Sequence, residues 1–96
     1  MILTFRDRAS EDVYNGVNSR NARTIPRSIW KIAGRKLDML NAAKDLQDLQ
    51  APPGNHLEWL KGSWAGHHSI RINDQYRIVF KWVAGNAKDV VIVDYH

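Results

Sequence analysis

The sequence has 96 residues, a formal net charge of +4 and a hydrophobic fraction of 44%, which is typical of one folded domain spanning residues 1–96 and excludes general disorder. It contains no cysteine, which excludes disulfides and thiol catalysis, and no apolar run long enough for a signal peptide or a membrane span, so we expect a soluble, cytoplasmic protein without membrane contact. The excess of basic residues is spread along the chain, and it permits a nucleic-acid partner without requiring one.

The first part of the chain predicts a strand and a short helix. Residues 1–5, MILTF, are mostly apolar and predict a short strand. Residues 9–14 predict a short helix, with Ser10 as its N-cap. Residues 15–23 are polar and contain Gly, Asn and Ser, so we expect a mobile loop there.

A long amphipathic helix is predicted to follow. Thr24 is suited to cap it, and Pro26 falls in the first turn, where a missing N–H costs little. Apolar residues then recur at steps of three or four as far as Leu49, while charged residues occupy the opposite face. Residues 51–54, APPG, are expected to end this helix.

The second half of the chain predicts strands joined by short turns. The segments HLEWLKG, HHSIRIN and QYRIVFKWV alternate between the two sides of a strand, and DVVIVDY is typical of a buried final strand. Short connections favour antiparallel pairing. We therefore predict an α+β domain in which helices pack on one face of an antiparallel sheet of about four strands.

Basic residues are predicted on the other face of this sheet. Arg71 and Arg77 fall on neighbouring strands, and their alternation places them opposite Ile70 and Ile78. The fixed donor fork of arginine suits phosphate binding. A solvated face without any ligand explains the same pattern equally well.

The aromatic and histidine residues have both packing and functional interpretations. The alternation around Trp82 favours a core role, whereas Trp64 lies in the turn KGSWAG and is as consistent with stacking on a base as with packing. The adjacent His67 and His68 are predicted to point to opposite faces of a strand, so we expect no metal site and no cofactor there.

The chain ends in Asp94, Tyr95 and His96. An imidazole is the usual acid or base near neutral pH, a phenol can donate a hydrogen bond or a proton, and a carboxylate can orient the imidazole or accept a proton. Together with arginines these groups suit RNA cleavage by attack of the ribose 2′-hydroxyl, because cations stabilise the charged phosphorane. No metal is required for this route.

The run LKGSWAGHHSIRINDQYRIVFKW and the terminal VDYH resemble the HigB toxins, which belong to the RelE-like superfamily of bacterial type II toxin–antitoxin systems. The upstream RKLDMLNAAKDLQDLQAPPGN resembles the same family. The resemblance covers about residues 33–96 well and residues 1–32 loosely. It implies the small microbial-RNase-like (RelE-like) fold, with two N-terminal helices packed on an antiparallel sheet.

The resemblance also implies a function. The protein would be a ribosome-dependent mRNA endonuclease (an mRNA interferase) that cleaves mRNA in the ribosomal A site, inhibits translation and arrests growth. Its partners would be the 70S ribosome with mRNA and a cognate HigA-like helix-turn-helix antitoxin, and operator DNA would be contacted only through that antitoxin. The alternatives are a non-catalytic RNA- or ribosome-binding inhibitor that acts by occlusion, and an interaction partner without toxicity.

Several residues match the pattern of the family. Asp94, Tyr95 and His96 match its catalytic ending. Arg77 matches the arginine that stabilises the phosphate, and Lys61 matches a basic residue lining the RNA path. These matches imply the corresponding roles in this chain.

One position departs from the pattern. Some members carry a histidine two residues before the leucine of LKG, where this chain has Glu58. Either Glu58 is the acid or base, or His56 partly substitutes for that histidine, or neither is needed. His56, Arg71 and Trp64 complete the expected RNA-binding residues beside Lys61.

Overall fold

The computed structural model of the protein describes residues 1–95. Within them the chain forms two α-helices followed by four strands, which confirms the predicted α+β class and the antiparallel sheet. The elements are α1 (Arg8–Asn15), α2 (Trp30–Ala42), β1 (Glu58–Trp59), β2 (His68–Arg71), β3 (Tyr76–Val83) and β4 (Asn86–Asp94). Neither of these helices has the length and apolarity that a membrane crossing needs.

The sheet is a meander in the order β1-β2-β3-β4, and each strand pairs antiparallel with the next. The register between β3 and β4 shifts after Val79, where β4 carries one extra residue. Asp89 lies at this irregularity with a left-handed φ of 54°, a region that aspartate tolerates better than most residues. Apart from this bulge, the register fixes which side chains share a face.

Residues 1–5 do not form the continuous strand that was predicted. Ile2 and Phe5 make isolated parallel bridges to Ala87 and Val90 of β4. Between those bridges the N–H of Asp89 bonds to the side-chain hydroxyl of Thr4 at 2.9 Å instead of to a backbone carbonyl. The ladder is therefore interrupted at the bulge, although the segment still covers the outer edge of β4.

Helix α1 is capped one turn earlier than predicted. The carboxylate of Asp7 accepts the N–H of Ser10 at 2.8 Å, so Asp7 is the N-cap. Ser10 is fully buried, and its hydroxyl accepts the N–H of Ile92 at 2.9 Å. The prediction of Ser10 as the cap is therefore wrong, because its side chain instead links the helix to β4. Gly16 ends the helix at a left-handed φ of 73°.

The predicted long helix is divided into three parts. A 3₁₀ turn at Arg27–Ile29 leads into α2, and a second 3₁₀ turn at Leu46–Gln50 follows a break after α2. Asp45 and Asp48 form a capping box that starts the second turn. Thr24 does not cap a helix, since its hydroxyl donates to the carbonyl of Asn21 at 2.7 Å.

The two faces of the sheet have different surroundings. The inner face carries the predicted apolar residues of β2 and β3, which join both helices in the main core. The outer face has a smaller apolar cluster around Leu60, Val79 and Val91, with Val93 and Tyr95 packed against it. The inner core includes the buried residues Val13, Ala33, Leu37, Leu40, Leu49, Ile70, Ile72, Ile78, Phe80, Val90 and Ile92.

Candidate active site

Arg77 is the centre of the polar part of the outer face. Only 9% of its surface is exposed. Its Nε donates to the hydroxyl of Ser69 at 2.8 Å, its Nη2 donates to the carbonyl of His56 at 2.5 Å, and its Nη1 lies 3.1 Å from a carboxylate oxygen of Glu58. These contacts hold the guanidinium in one orientation, which a planar donor fork requires for recognising an oxyanion.

A second arginine lies beside the first. Arg71 of β2 is directly opposite Arg77 in the register. Like charges in this arrangement repel each other. Each arginine has its own carboxylate, because Arg71 pairs with Asp74 and Arg77 pairs with Glu58. The site therefore contains two cations whose exposed carboxylate partners a phosphate could replace.

The loop before β1 supplies the carbonyl that holds Arg77. His56 does not lie on a strand, as was expected, but adopts a left-handed φ of 43° after a 3₁₀ turn. The preceding Asn55 is fully buried. Its Nδ2 donates to the carbonyls of Leu49 and Ala51, at 3.2 Å each, and its Oδ1 accepts from the ammonium of Lys36. This network fixes the loop and thereby the direction of the His56 carbonyl.

A cavity of about 310 Å³ opens between this loop and the ends of β2 and β3. It brings two guanidinium groups, two carboxylates, an imidazole and a phenol into one concave site. Such a site can bind a phosphate, stabilise extra negative charge on it, and exchange protons with neighbouring oxygens. The lining residues are His56, Glu58, Arg71, Asn73, Asp74, Arg77 and Tyr95.

The C-terminal residues do not all meet in this cavity. Tyr95 lines it, and its backbone N–H donates to the carbonyl of Gln75 at 2.7 Å. Asp94 is opposite Tyr76 in the register, and its carboxylate accepts from Nε2 of Gln75 at 3.0 Å. The alternation of the strand thus separates the side chains of Asp94 and Tyr95. His96 lies outside the described residues.

Two predicted RNA-binding residues lie away from the cavity. Lys61 lines a separate groove of about 390 Å³ beside β1. Trp64 is half-buried against the outer apolar cluster, with its ring edge-on to His67 at a centroid distance of 5.2 Å. The guanidinium of Arg6 lies over the Trp64 ring, 5.1 Å from its centroid. Of the four expected RNA-binding residues, only His56 and Arg71 line the cavity.

The two adjacent histidines occupy opposite faces of the sheet. The ring of His67 contacts Trp64 on the outer face, whereas the ring of His68 stacks on Phe80 of the inner core. Burial lowers the pKa of His68, which favours its neutral form. Among residues 1–95, no three His, Asp or Glu side chains are grouped so that they could hold a metal ion.

Three residues of the site were not singled out from the sequence for it. Ser69 holds Nε of Arg77, and its alternation with Ile70 was a sufficient signal for its face. Asn73 and Asp74 line the cavity from the turn after β2. The Asn73 side chain caps that turn by accepting the N–H of Tyr76 at 2.7 Å. This is the usual role of asparagine in a turn, so the sequence did not mark Asn73 as a site residue.

Comparison with solved structures places the fold in a class. The chain is similar to a chain of the YoeB-YefM complex from Staphylococcus aureus, with a TM-score of 0.60 and 17% sequence identity. The match covers 100% of this chain and 98% of that one. The protein therefore belongs to the same fold class as that chain.

The sequence identifies the family within that class. Residues 3–96 match the family described as the RelE-like toxin of type II toxin-antitoxin system HigB. The chain belongs to this HigB-like toxin family, as the resemblance predicted. It is 45% identical to Toxin HigB-1 of Vibrio cholerae over 87 residues, which cover 91% of this chain and 90% of that protein. An uncharacterized protein of Haemophilus influenzae is 45% identical over 58 residues, covering 60% and 57% of the two chains.

Proposed function

We propose that the protein is a ribosome-dependent mRNA endonuclease, which cleaves mRNA in the ribosomal A site and thereby inhibits translation. The observation that carries this proposal is the cavity in which Arg71, Arg77, Glu58 and Tyr95 meet. Membership of the HigB-like toxin family supports the same activity.

The two arginines bind the scissile phosphate. As the phosphate enters, it replaces the carboxylates of Glu58 and Asp74, which are 54% and 95% exposed and return readily to water. Arg77 keeps its contacts with Ser69 and the His56 carbonyl, so it remains oriented while negative charge develops on the phosphorane. Charge stabilisation by a preorganised donor is the largest contribution that this site can make.

Proton transfer completes the reaction. Glu58, released from Arg77, accepts the proton of the ribose 2′-hydroxyl, whose oxygen attacks the phosphorus and expels the 5′ oxygen of the next nucleotide. Tyr95 hydrogen-bonds at the phosphate, and His96 gives the leaving oxygen its proton. Asp94, expected from the sequence to be a further acid/base group, does not line the cavity and takes no direct part in this step. The product is a 2′,3′-cyclic phosphate. DNA lacks the 2′-hydroxyl, so this route is selective for RNA.

The remaining proposed contacts extend from this centre. Lys61, His56 and Trp64 contact the RNA on either side of the cleaved bond. The protein acts in the cytoplasm, where it is bound by a HigA-like helix-turn-helix antitoxin, and operator DNA is reached only through that antitoxin. The similarity to the YoeB-YefM complex supports an antitoxin partner.

Mapping of mRNA 5′ ends after induced expression tests the proposal. We expect growth arrest together with new 5′ ends within A-site codons, and we expect deletion of residues 94–96 to relieve both. Growth arrest without new ends identifies the occluding, non-catalytic inhibitor. Neither arrest nor new ends identifies an interaction partner without toxicity.

The assignment of Glu58 as the base predicts unequal effects of two nearby substitutions. Glu58→Gln should lower the single-turnover rate of mRNA cleavage on purified ribosomes by about 10²- to 10⁴-fold, because it removes the proton acceptor. The matched control His56→Gln should have a much smaller effect, since Arg77 contacts the backbone carbonyl of His56. A reversed order of the two variants would reassign the base to the imidazole.

A further inference from the structure

Trp59 is an exposed tryptophan whose orientation is nevertheless fixed. Its surface is 72% exposed, although tryptophan is usually largely buried. The ring stacks on His68 at 5.7 Å and 14°, and His68 stacks on the buried Phe80 at 6.1 Å and 24°. The stack begins in the inner core and ends at the surface. The ring therefore has one supported side, while most of its surface remains open to a ligand.

The surroundings of this ring are apolar and carry one positive charge. The groove of about 390 Å³ has the size of a small-molecule site. Lys61 is the single charged residue among its six lining residues, and none of the six is acidic. The other five are Trp59, Leu60, Gly62, Ala65 and Gly66. An aromatic surface next to a cation suits a nucleotide, because the base stacks and the phosphate is attracted.

The position of the ring relates it to the proposed active site. Trp59 follows Glu58 directly in β1, and successive strand residues point to opposite faces. Strand β1 is the first strand of the sheet, paired on one side with β2. A single-stranded RNA whose phosphate occupies the cavity beside Glu58 can therefore pass round this edge to the ring of Trp59.

Trp64, for which the sequence left stacking and packing equally open, has less free ring surface. It is half-buried against the outer apolar cluster. The guanidinium of Arg6 covers one side of the ring, and His67 contacts it edge-on. A base would have to displace Arg6 at Trp64, whereas Trp59 is accessible without displacement.

We propose that Trp59 is the stacking platform for a base of the mRNA next to the cleaved nucleotide, and that Lys61 contacts the phosphate of the nucleotide that carries this base. The inference deepens the proposed function and rests on it for the identity of the RNA. A peptide segment of the antitoxin is the competing occupant. RNA is favoured because the groove offers a cation, a planar ring and no carboxylate.

Binding of a 2′-O-methylated single-stranded RNA oligonucleotide tests the stack without cleavage. By fluorescence anisotropy at low salt, Trp59→Ala should weaken binding by about 5- to 150-fold, the range for one base stacked on an aromatic ring. Trp59→Phe should retain most of the affinity, since it keeps a smaller ring. Leu3→Ala, a matched control at a 51% exposed side chain elsewhere, should bind like the unchanged protein.

A single abasic nucleotide placed at each position of the same oligonucleotide locates the stacked base. One position should weaken binding to the unchanged protein and have no further effect on Trp59→Ala, because the two changes remove the same contact. Lys61→Met should reduce the slope of log affinity against log salt by about 1. Equal affinity of Trp59→Ala and the unchanged protein, or no binding by the unchanged protein, overturns the proposal.

Two further measurements separate this inference from the proposed function and from the competing occupant. Loss of RNA binding in Trp59→Ala, with no cleavage of ribosomal mRNA by the unchanged protein, supports the stack but refutes the endonuclease. Cleavage that Trp59→Ala performs as well as the unchanged protein refutes the stack alone. Weakened binding of the antitoxin with normal RNA binding assigns the groove to the antitoxin and overturns the inference.

Discussion

The inner and outer faces of the sheet differ in the kind of side chain that they bury. On the inner face Ile70, Ile78 and Phe80 are completely buried beneath the helices. On the outer face Arg77 is almost as deeply buried, but its guanidinium is held by contacts with Ser69, Glu58 and the loop before β1. Strand β3 contributes side chains to both faces, so neighbouring residues of this strand have different roles. The inner face supplies stability, and the outer face supplies an oriented charge.

The largest expected effect is on the inner face. Phe80→Ala should lower the free energy of unfolding by about 3–5 kcal/mol, because it leaves a cavity in a fully buried position and removes the support of the His68 ring. Urea denaturation followed by circular dichroism measures this change. Val83→Ala, at the 48% exposed end of the same strand, is the control and should lose far less stability. Similar losses of stability in both variants would contradict the view that the inner face supplies the stability.

The next effect is on the outer face and concerns activity. Arg77→Met should reduce the single-turnover rate of mRNA cleavage by about 10²- to 10³-fold, the usual cost of removing one preorganised donor to a charged transition state. Its stability should fall less than that of Phe80→Ala, because the released Glu58 is 54% exposed and can be hydrated. Arg77→Lys should recover only part of the rate, since an ammonium cannot reproduce the planar fork. Normal cleavage by Arg77→Met would show that Arg77 is not part of the active site.

The smallest expected effect is a loss of stability at low pH, which arises from His68 on the inner face. Burial lowers the pKa of His68 below its usual value of 6.5. As the pH falls below that value, the unfolded chain binds a proton before the folded chain does, so stability should decrease until the pH passes the lowered pKa. Denaturation at about pH 8 and about pH 5 should show this loss, and His68→Phe should reduce it, because the ring stays but no longer titrates. An unchanged pH dependence in His68→Phe would assign the loss to other groups.

The sequence predicted the sheet better than the helices. Alternation places Ile78 and Arg77 on opposite faces whatever the neighbouring strands do, so local pattern was sufficient for β2 and β3. It did not reveal the bulge at Asp89 of β4. The apolar stripe running to Leu49 did not reveal the end of α2, because Leu49 stays fully buried although the chain restarts as a 3₁₀ turn. The capping box of Asp45 and Asp48 was the signal that marked the break.

The sequence indicated which chemical groups would form the candidate site, but not how they would be arranged. Arg77 and Glu58 were identified and do meet, whereas Asp94 and Tyr95 are adjacent in sequence and are separated by strand alternation. The role of His56 could not be predicted, because it depends on a left-handed backbone conformation and on its carbonyl. Sequence patterns describe side chains, and this contact is made by the main chain.

The pairing of residues 1–5 with β4 has a consequence for synthesis of the protein. Thr4 and Asp89 are 85 residues apart, yet they hydrogen-bond to each other. The N-terminal segment therefore cannot pair until β4 has emerged from the translating ribosome, since contacts this distant in sequence form late. A nascent chain that stops before β4 lacks both this closure and Tyr95. Premature termination should consequently release a fragment that lacks the proposed activity.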